Sequence, residues 1–325
     1  MAIYRSDALV PVESGSALGK PRARAGPGPA AVYLARLAPS SRRTMKKCLD
    51  TLARLATNGL KLAQELPWEG IRYEHVQGLR ARMASGTLSP SYVNLHLCAL
   101  RGVLKEAWRL GLMDSESYMR AVDVQGLRGS RLPRGREVAA GEAGAVFDSL
   151  SGGAASPKKA RNAALLATLH GGGLRRSELA QLELKHFDDD ARTLRVLGKG
   201  NKERIVPLPE GALAALRAWV RIRGAWPGAL FVPVNKGAKL ARRHMTSEAV
   251  WHIIKRVALA AAVKPFAPHD MRRTYVTALF RKGVDGGTIQ KLAGHAKLET
   301  TMRYDMRGED EKSKAADLLH VPFRP

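Results

Sequence analysis

Between Val124 and Glu137 the chain loses all hydrophobic periodicity: the stretch is rich in glycine and arginine, carries Pro133, and offers no face that a core could bury. This break constrains the fold more than any other feature, because the segments on either side must each close a core of their own. With 325 residues there is room for two domains of ordinary size. The sequence therefore predicts a helical domain over residues 31–123, a linker over 124–137 and a second domain over 138–308. Residues 1–30, ending in a Gly/Pro-rich run, read as a flexible basic tail, and 309–325 as a separate C-terminal segment.

Apolar spacing sets the class of each domain. Met45, Cys48, Leu49, Leu52 and Leu55 fall at helical intervals after Ser40 and Ser41, and residues 74–83 form a second, shorter pattern. Ser89 and Pro90 open a third helix with a stripe of Leu95, Leu97, Leu100, Val103, Leu104, Ala107 and Trp108, leaving Arg101, Lys105 and Arg109 on other faces. In the second domain, helices are expected near 140–151, 157–170 and 176–182. Three strands follow at 184–187, 193–197 and 204–208, with Gly198-Lys199-Gly200-Asn201 as a hairpin tip, then helices near 210–223, 246–261, 270–282, 286–293 and 298–304. The fold class is mainly α with one small antiparallel β-sheet in the C-terminal domain. The longest uninterrupted apolar run, 257–263, is far short of the roughly 20 residues a membrane helix needs. Cys48 and Cys98 fit neither a disulfide framework nor a zinc spacing, and read as reduced core thiols.

Charge narrows the partner. The chain has 54 Lys and Arg against 29 Asp and Glu, a net charge of +25. Residues 1–137 hold 22 basic and 11 acidic side chains, residues 138–325 hold 32 and 18, so both halves are basic. A membrane-surface protein would concentrate such charge in one amphipathic helix or tail. Two basic lobes instead suit a clamp around duplex DNA, with linker residues Arg128, Arg131, Arg134 and Arg136 along a phosphate backbone. A cytoplasmic, nucleoid-associated protein follows.

Four separated segments offer polar residues that local structure does not require. They contain Gly173-Leu174-Arg175-Arg176-Ser177-Glu178, Gly198-Lys199-Gly200-Asn201-Lys202-Glu203-Arg204, His269-Asp270-Met271-Arg272-Arg273, and Leu292-Ala293-Gly294-His295 followed by Tyr304. In this order the set resembles the tyrosine recombinases, the phage integrase family, closely over about 138–308 and more loosely over the first domain. The resemblance implies a two-domain DNA clamp, a helical core-binding domain joined to a tyrosine-recombinase catalytic domain, similar to the simple, Xer-like members. It implies Arg175, Lys199, His269, Arg272 and His295 as catalytic residues and Tyr304 as nucleophile. It further implies no cofactor, a 3′-phosphotyrosine intermediate, and a monomer that assembles into a homo- or heterotetramer on two DNA sites, each C-terminal segment docking on its neighbour.

These residue types also make chemical sense without the family. A phosphodiester attacked by a phenol gains charge on its non-bridging oxygens, which the forked donors of Arg175 and Arg272 match. Fixed cations of this kind leave no need for a metal, and covalent storage of the bond leaves no need for ATP. Lys199 can protonate the departing alkoxide, His269 can accept the phenolic proton or orient a donor, and His295 can donate to a non-bridging oxygen. Arg176, Lys202, Arg204 and Arg273 join the linker arginines as candidate DNA contacts, and Glu178 can hold Arg175 in place. Tyr275 rivals Tyr304, and Lys202 rivals Lys199, on composition alone; position after Leu292-Ala293-Gly294-His295 and between two glycines favours Tyr304 and Lys199. A zinc site from His269 and His295 lacks further ligands at metal spacing, and neighbouring arginines would repel the ion. A type IB topoisomerase and a DNA-binding regulator that never cuts are the alternative functions.

Overall fold

The computed structural model describes residues 26–129, 135–154, 156–198 and 202–305, together with Ala316. The chain divides between residues 133 and 134 into two units, each with its own hydrophobic core.

Among its described residues the first unit builds its regular structure from helices: α1 (Pro29–Ala35), α2 (Pro39–Ala56), α3 (Tyr73–Ala84), α4 (Pro90–Arg109) and α5 (Ser115–Val122). Helix α4 starts where Ser89 caps it, the hydroxyl accepting from Tyr92 N (3.2 Å), and Pro90 fills the first turn, where no amide donor is needed. Its stripe of Val93, Leu97, Leu100, Val103 and Leu104 is essentially solvent-free and packs against α1, α2, α3 and α5. Two details depart from the periodicity. Trp108 lies at the edge, stacked on Tyr118 with ring centroids 5.3 Å apart, and Arg101 donates to the carbonyls of Val122 and Val124 instead of facing water. Of the two free thiols, Cys48 is buried and Cys98 is exposed, so the expectation of two core thiols holds for Cys48 alone.

The region read as a linker is anchored at both described ends. The Asn94 side chain accepts from Leu127 N (2.7 Å) and donates to Leu127 O (3.0 Å). Beyond residue 134, Arg136 N donates to Asp270 Oδ1 (3.1 Å) and Val138 N to Thr274 Oγ1 (2.9 Å).

The second unit contains α6 (Ala140–Ser151), α7 (Pro157–Gly172) and α8 (Arg176–Gln181), then strands β1 (Phe187–Asp188), β2 (Thr193–Leu197) and β3 (Glu203–Pro207). Helices α9 (Glu210–Arg223), α10 (Ser247–Ala260), α11 (Pro268–Arg281), α12 (Gly286–Ala293) and α13 (Leu298–Met302) follow. The sheet is antiparallel in the order β1-β2-β3, with Leu194 opposite Val206 and Val196 opposite Arg204. Leu194, Val196 and Val206 point into the core, where α7 packs on α9 around Leu165, Leu169, Leu216 and Trp219. The strand expected at 184–187 is mostly absent. Residues 184–186 make a 3-10 turn capped by His186 Nδ1, which accepts from Glu183 N (3.1 Å). Their backbone is drawn to the 228–230 segment, Leu184 N donating to Gly228 O and Leu230 N to Leu182 O, which leaves β1 two residues long. A separate small cluster of Val276, Phe280, Ile289, Ala293 and Tyr304 joins α11, α12 and the chain after α13.

Candidate active site

Two helix C-termini frame the site. Helix α7 ends on Gly173 in the left-handed region (φ 59°), where a Cβ would come within 2.3 Å of the Tyr275 ring. The turn delivers Arg175 to the start of α8. Helix α12 ends on Gly294, also left-handed (φ 65°), and a Cβ there would press on the Arg204 guanidinium at 2.9 Å. Only glycine satisfies both demands at these positions.

The end of α12 gathers three guanidiniums. Leu292 O accepts from Arg204 Nε (3.0 Å), Ala293 O from Arg272 Nη2 (2.6 Å) and Gly294 O from Arg175 Nη2 (3.0 Å). Arg272 also donates through Nη1 to Gly173 O (2.6 Å), at the end of α7. The unpaired carbonyls and negative dipole end of a helix are natural receivers of positive charge. Arg272 is 1% exposed, and its pKa is pushed down to about 10 by burial first and then by the charge of Arg175, so it remains cationic at neutral pH.

Glu178, also buried, completes the frame. Its carboxylate accepts from Arg175 N (2.9 Å) and Nη1 (2.7 Å) and from Arg204 Nη1 (3.2 Å) and Nη2 (2.8 Å). Burial alone would raise its pKa, but the hydrogen bonds and charge of Arg204, with the bonds from Arg175, hold it below the usual carboxylate range. One carboxylate against Arg175, Arg204 and Arg272 leaves an excess of positive charge in a partly dry pocket, which is the environment an anionic phosphate requires.

Tyr304 stands beside this cluster, 8% exposed. Its hydroxyl lies 3.0 Å from His269 Nε2, its ring stacks on His295 with centroids 6.0 Å apart, and the Arg273 guanidinium sits 5.3 Å from the ring centre. Desolvation, followed by the charges of Arg272 and Arg273, holds His269 below its ordinary pKa, so the ring favours its neutral form, in which one nitrogen carries a lone pair. His295 is buried, and its pKa is pushed down to about 4 by burial and then by Arg272 and Arg175. Its Nδ1 meets the Thr301 hydroxyl at 2.8 Å.

The structure thus brings Arg175, His269, Arg272, His295 and Tyr304 into one site. Lys199 lies outside the described residues, as do Arg131 and Arg134; Gly198 N donates to Lys202 O (2.8 Å) at the base of the Lys199 hairpin. Arg128, Arg176 and Lys202 are exposed. Arg204, read from the sequence as a DNA contact, is committed to Glu178 and Leu292 with its side chain 11% exposed. Tyr275 is packed against Gly173, and burial raises its pKa, which suits a packing residue better than an attacking phenol. No motif points to Thr301; its six-residue spacing from His295 is uninformative until α13 folds. Among the described residues no three His, Cys, Asp or Glu side chains cluster as metal ligands, and no helix is long and apolar enough to cross a membrane.

The phage integrase family model matches residues 144–309 of the chain. A tyrosine recombinase XerC from Shewanella sp. (strain W3-18-1) is 31% identical over 288 residues, covering 86% of this chain and 89% of the relative. A second XerC, from Corynebacterium glutamicum, is 40% identical over 147 residues, 44% of this chain and 46% of the relative. Among solved structures, the Tn1549 transposon integrase in complex with a circular intermediate DNA aligns with a TM-score of 0.65 at 17% identity, covering 90% of this chain and all of that one. The XerH recombinase bound to a palindromic difH substrate aligns with a TM-score of 0.61 at 22% identity, over 86% and 76% of the two chains. The likeness to these two structures is one of fold.

Proposed function

This chain belongs to the phage integrase family, and from that premise we propose that it is a site-specific DNA recombinase that cuts and rejoins duplex DNA through Tyr304. The observation that carries the reading is the close set of Arg175 and Arg272 on the α7 and α12 termini, beside a tyrosine hydroxyl 3.0 Å from a histidine nitrogen held neutral.

In this mechanism Tyr304 Oη attacks phosphorus as its proton passes to His269 Nε2. The bond from phosphorus to the 5′ oxygen breaks, leaving a 3′-phosphotyrosine and, after proton donation by Lys199, a free 5′ hydroxyl. Arg175, whose side chain is 36% exposed, meets the non-bridging oxygens directly, while the buried Arg272 acts as a fixed charge at the floor of the site. His295 donates a further hydrogen bond to a non-bridging oxygen. Rejoining reverses these steps with a 5′ hydroxyl from a second duplex.

Residues 31–123 form the core-binding domain, joined through 124–137 to the catalytic domain at 138–308, and Arg128, Arg131, Arg134, Arg176, Lys202 and Arg273 contact the phosphate backbone. The protein acts in the cytoplasm, monomeric until it assembles as a tetramer on two DNA sites. A suicide duplex carrying the cognate site and a nick beside the scissile phosphate tests the activity, with EDTA present throughout. Wild-type protein should be trapped covalently and Tyr304→Phe should bind with equal affinity yet form no adduct. An adduct that survives in Tyr304→Phe, or a strict need for magnesium, refutes the mechanism.

A further inference from the structure

The Thr301 side chain is fully buried, on the short helix α13 one turn before Tyr304, and its hydroxyl lies 2.8 Å from His295 Nδ1. A hydroxyl has one proton to give and can accept in return, so this contact has two forms. Either Nδ1–H donates to Thr301, or Thr301 donates to a bare Nδ1. Among the described residues His295 Nδ1 is the one partner of Thr301 Oγ1, so the first form leaves the hydroxyl proton buried without an acceptor. The second form satisfies both groups. It also decides the chemistry at the far side of the ring, because a neutral imidazole carries a single N–H, and His295 is held neutral by its surroundings.

We propose that Thr301 sets the tautomer of His295: by donating to Nδ1 it places the ring N–H on Nε2, ready to donate to the non-bridging phosphate oxygen. With the other tautomer, Nε2 would turn a lone pair toward an anion. Thr301 is therefore a positioning residue that acts through His295, and the inference rests on the reading of this pocket as a phosphodiester site. The same contact ties the donor to the nucleophile, since Tyr304 N donates to Thr301 O (2.9 Å) and the Tyr304 ring stacks on His295.

Two variants and one spectroscopic measurement test it. Thr301→Val keeps the shape and removes the hydroxyl, whereas Thr301→Ser keeps the hydroxyl. Long-range 1H–15N correlation on the full chain, with the His295 ring assigned by comparison with His295→Ala, reports which nitrogen carries hydrogen. The wild type should show the Nε2–H form, and Thr301→Val should gain the Nδ1–H form. In single-turnover cleavage of the suicide duplex, Thr301→Val should be slower by roughly tenfold or more with DNA affinity unchanged, as expected for a weakened transition-state donor. Thr301→Ser should recover most of that rate. An Nδ1–H signal in the wild type overturns the proposal, and so does a Thr301→Ser protein as slow as Thr301→Val, which would mark a packing role. Should Thr301→Val not fold, the wild-type tautomer and the Thr301→Ser rate still decide. His295→Ala separates the two levels: if it cleaves at the wild-type rate, the reading of the pocket fails, whereas a slow His295→Ala beside a fast Thr301→Val sinks the tautomer proposal alone.

Discussion

Glu178 shows how one carboxylate orders a charge from its own helix start, Arg175, and one from a separate strand, Arg204. It is buried and bonded to Arg175 and Arg204, so Glu178→Gln strands two guanidiniums against each other; a loss of about 3 kcal/mol is expected by chemical denaturation. Because its pKa is lowered in the folded state, the stabilisation is complete above the unfolded value of about 4.3 and fades as pH falls through the folded one. The gap between wild type and Glu178→Gln should therefore be full at pH 7 and shrink on the acid side of pH 4. A gap that stays constant to pH 3 would show that shape, not charge, sets the cost. His269 gives a second pH signature. As proton acceptor it must be neutral, and its pKa lies below the ordinary value of about 6.5. The acid limb of single-turnover cleavage should be centred below pH 6.5, whereas a limb centred above 6.5 would exclude His269 as the acceptor.

At the scale of elements, the C-terminus of α12 is the part on which the site depends most. Its left-handed cap at Gly294 exposes three successive carbonyls, and Arg204, Arg272 and Arg175 each take one. Gly294→Ala adds backbone strain of about 1–2 kcal/mol and also drives a methyl group against Arg204. Gly283→Ala is the matched control: its φ is 78°, after the end of α11, with open space around the added carbon. Gly283→Ala should lose only the strain in thermal melting and Gly294→Ala somewhat more, but Gly294→Ala alone should lose most of its cleavage rate. Equal activity in the two would mean that the arginines do not depend on the α12 cap. Periodicity foretold α2, α4, α7 and α9 closely, because a buried helical face must recur at that interval. It failed at 184–187, whose apolar residues suit a strand but whose backbone pairs with the 228–230 segment. A local pattern carries no record of which partner a backbone finds.

For the whole molecule, the proposal that residues 309–325 dock on a neighbouring protomer has a direct consequence. Apart from Ala316 this segment lies outside the described residues; over 309–320 its sequence begins acidic and offers only Ala315, Leu318 and Leu319 as a narrow apolar stripe, too little for a helix stable alone in water. Truncation after Gly308 should leave binding of one protomer to a half-site intact in a gel-shift assay and abolish tetramer assembly and recombination. A truncated protein that recombines at the wild-type rate excludes the docking role. Binding by both forms should weaken steeply with salt, since basic residues in both halves of the chain would release counterions from DNA phosphates.

The sequence by itself determined the division into two units and the helical class, and it singled out Arg175, His269, Arg272, His295 and Tyr304 as candidates that the fold brings together. Each of these is written locally: in a break of periodicity, in 3.6-residue spacing, or in short ordered motifs. Apart from Glu178, already read from the sequence as a partner of Arg175, only the tertiary structure decided what holds those side chains. Arg175 meets a carbonyl 119 residues away and Arg204 one 88 residues away, while Arg272 bridges the ends of two helices. It turned Arg204 from a candidate DNA contact into a framework residue, and it revealed Thr301 as the partner of His295. The reason is physical: burying a charge requires carbonyls and carboxylates that converge from separate elements, and that convergence exists only once the helices have packed.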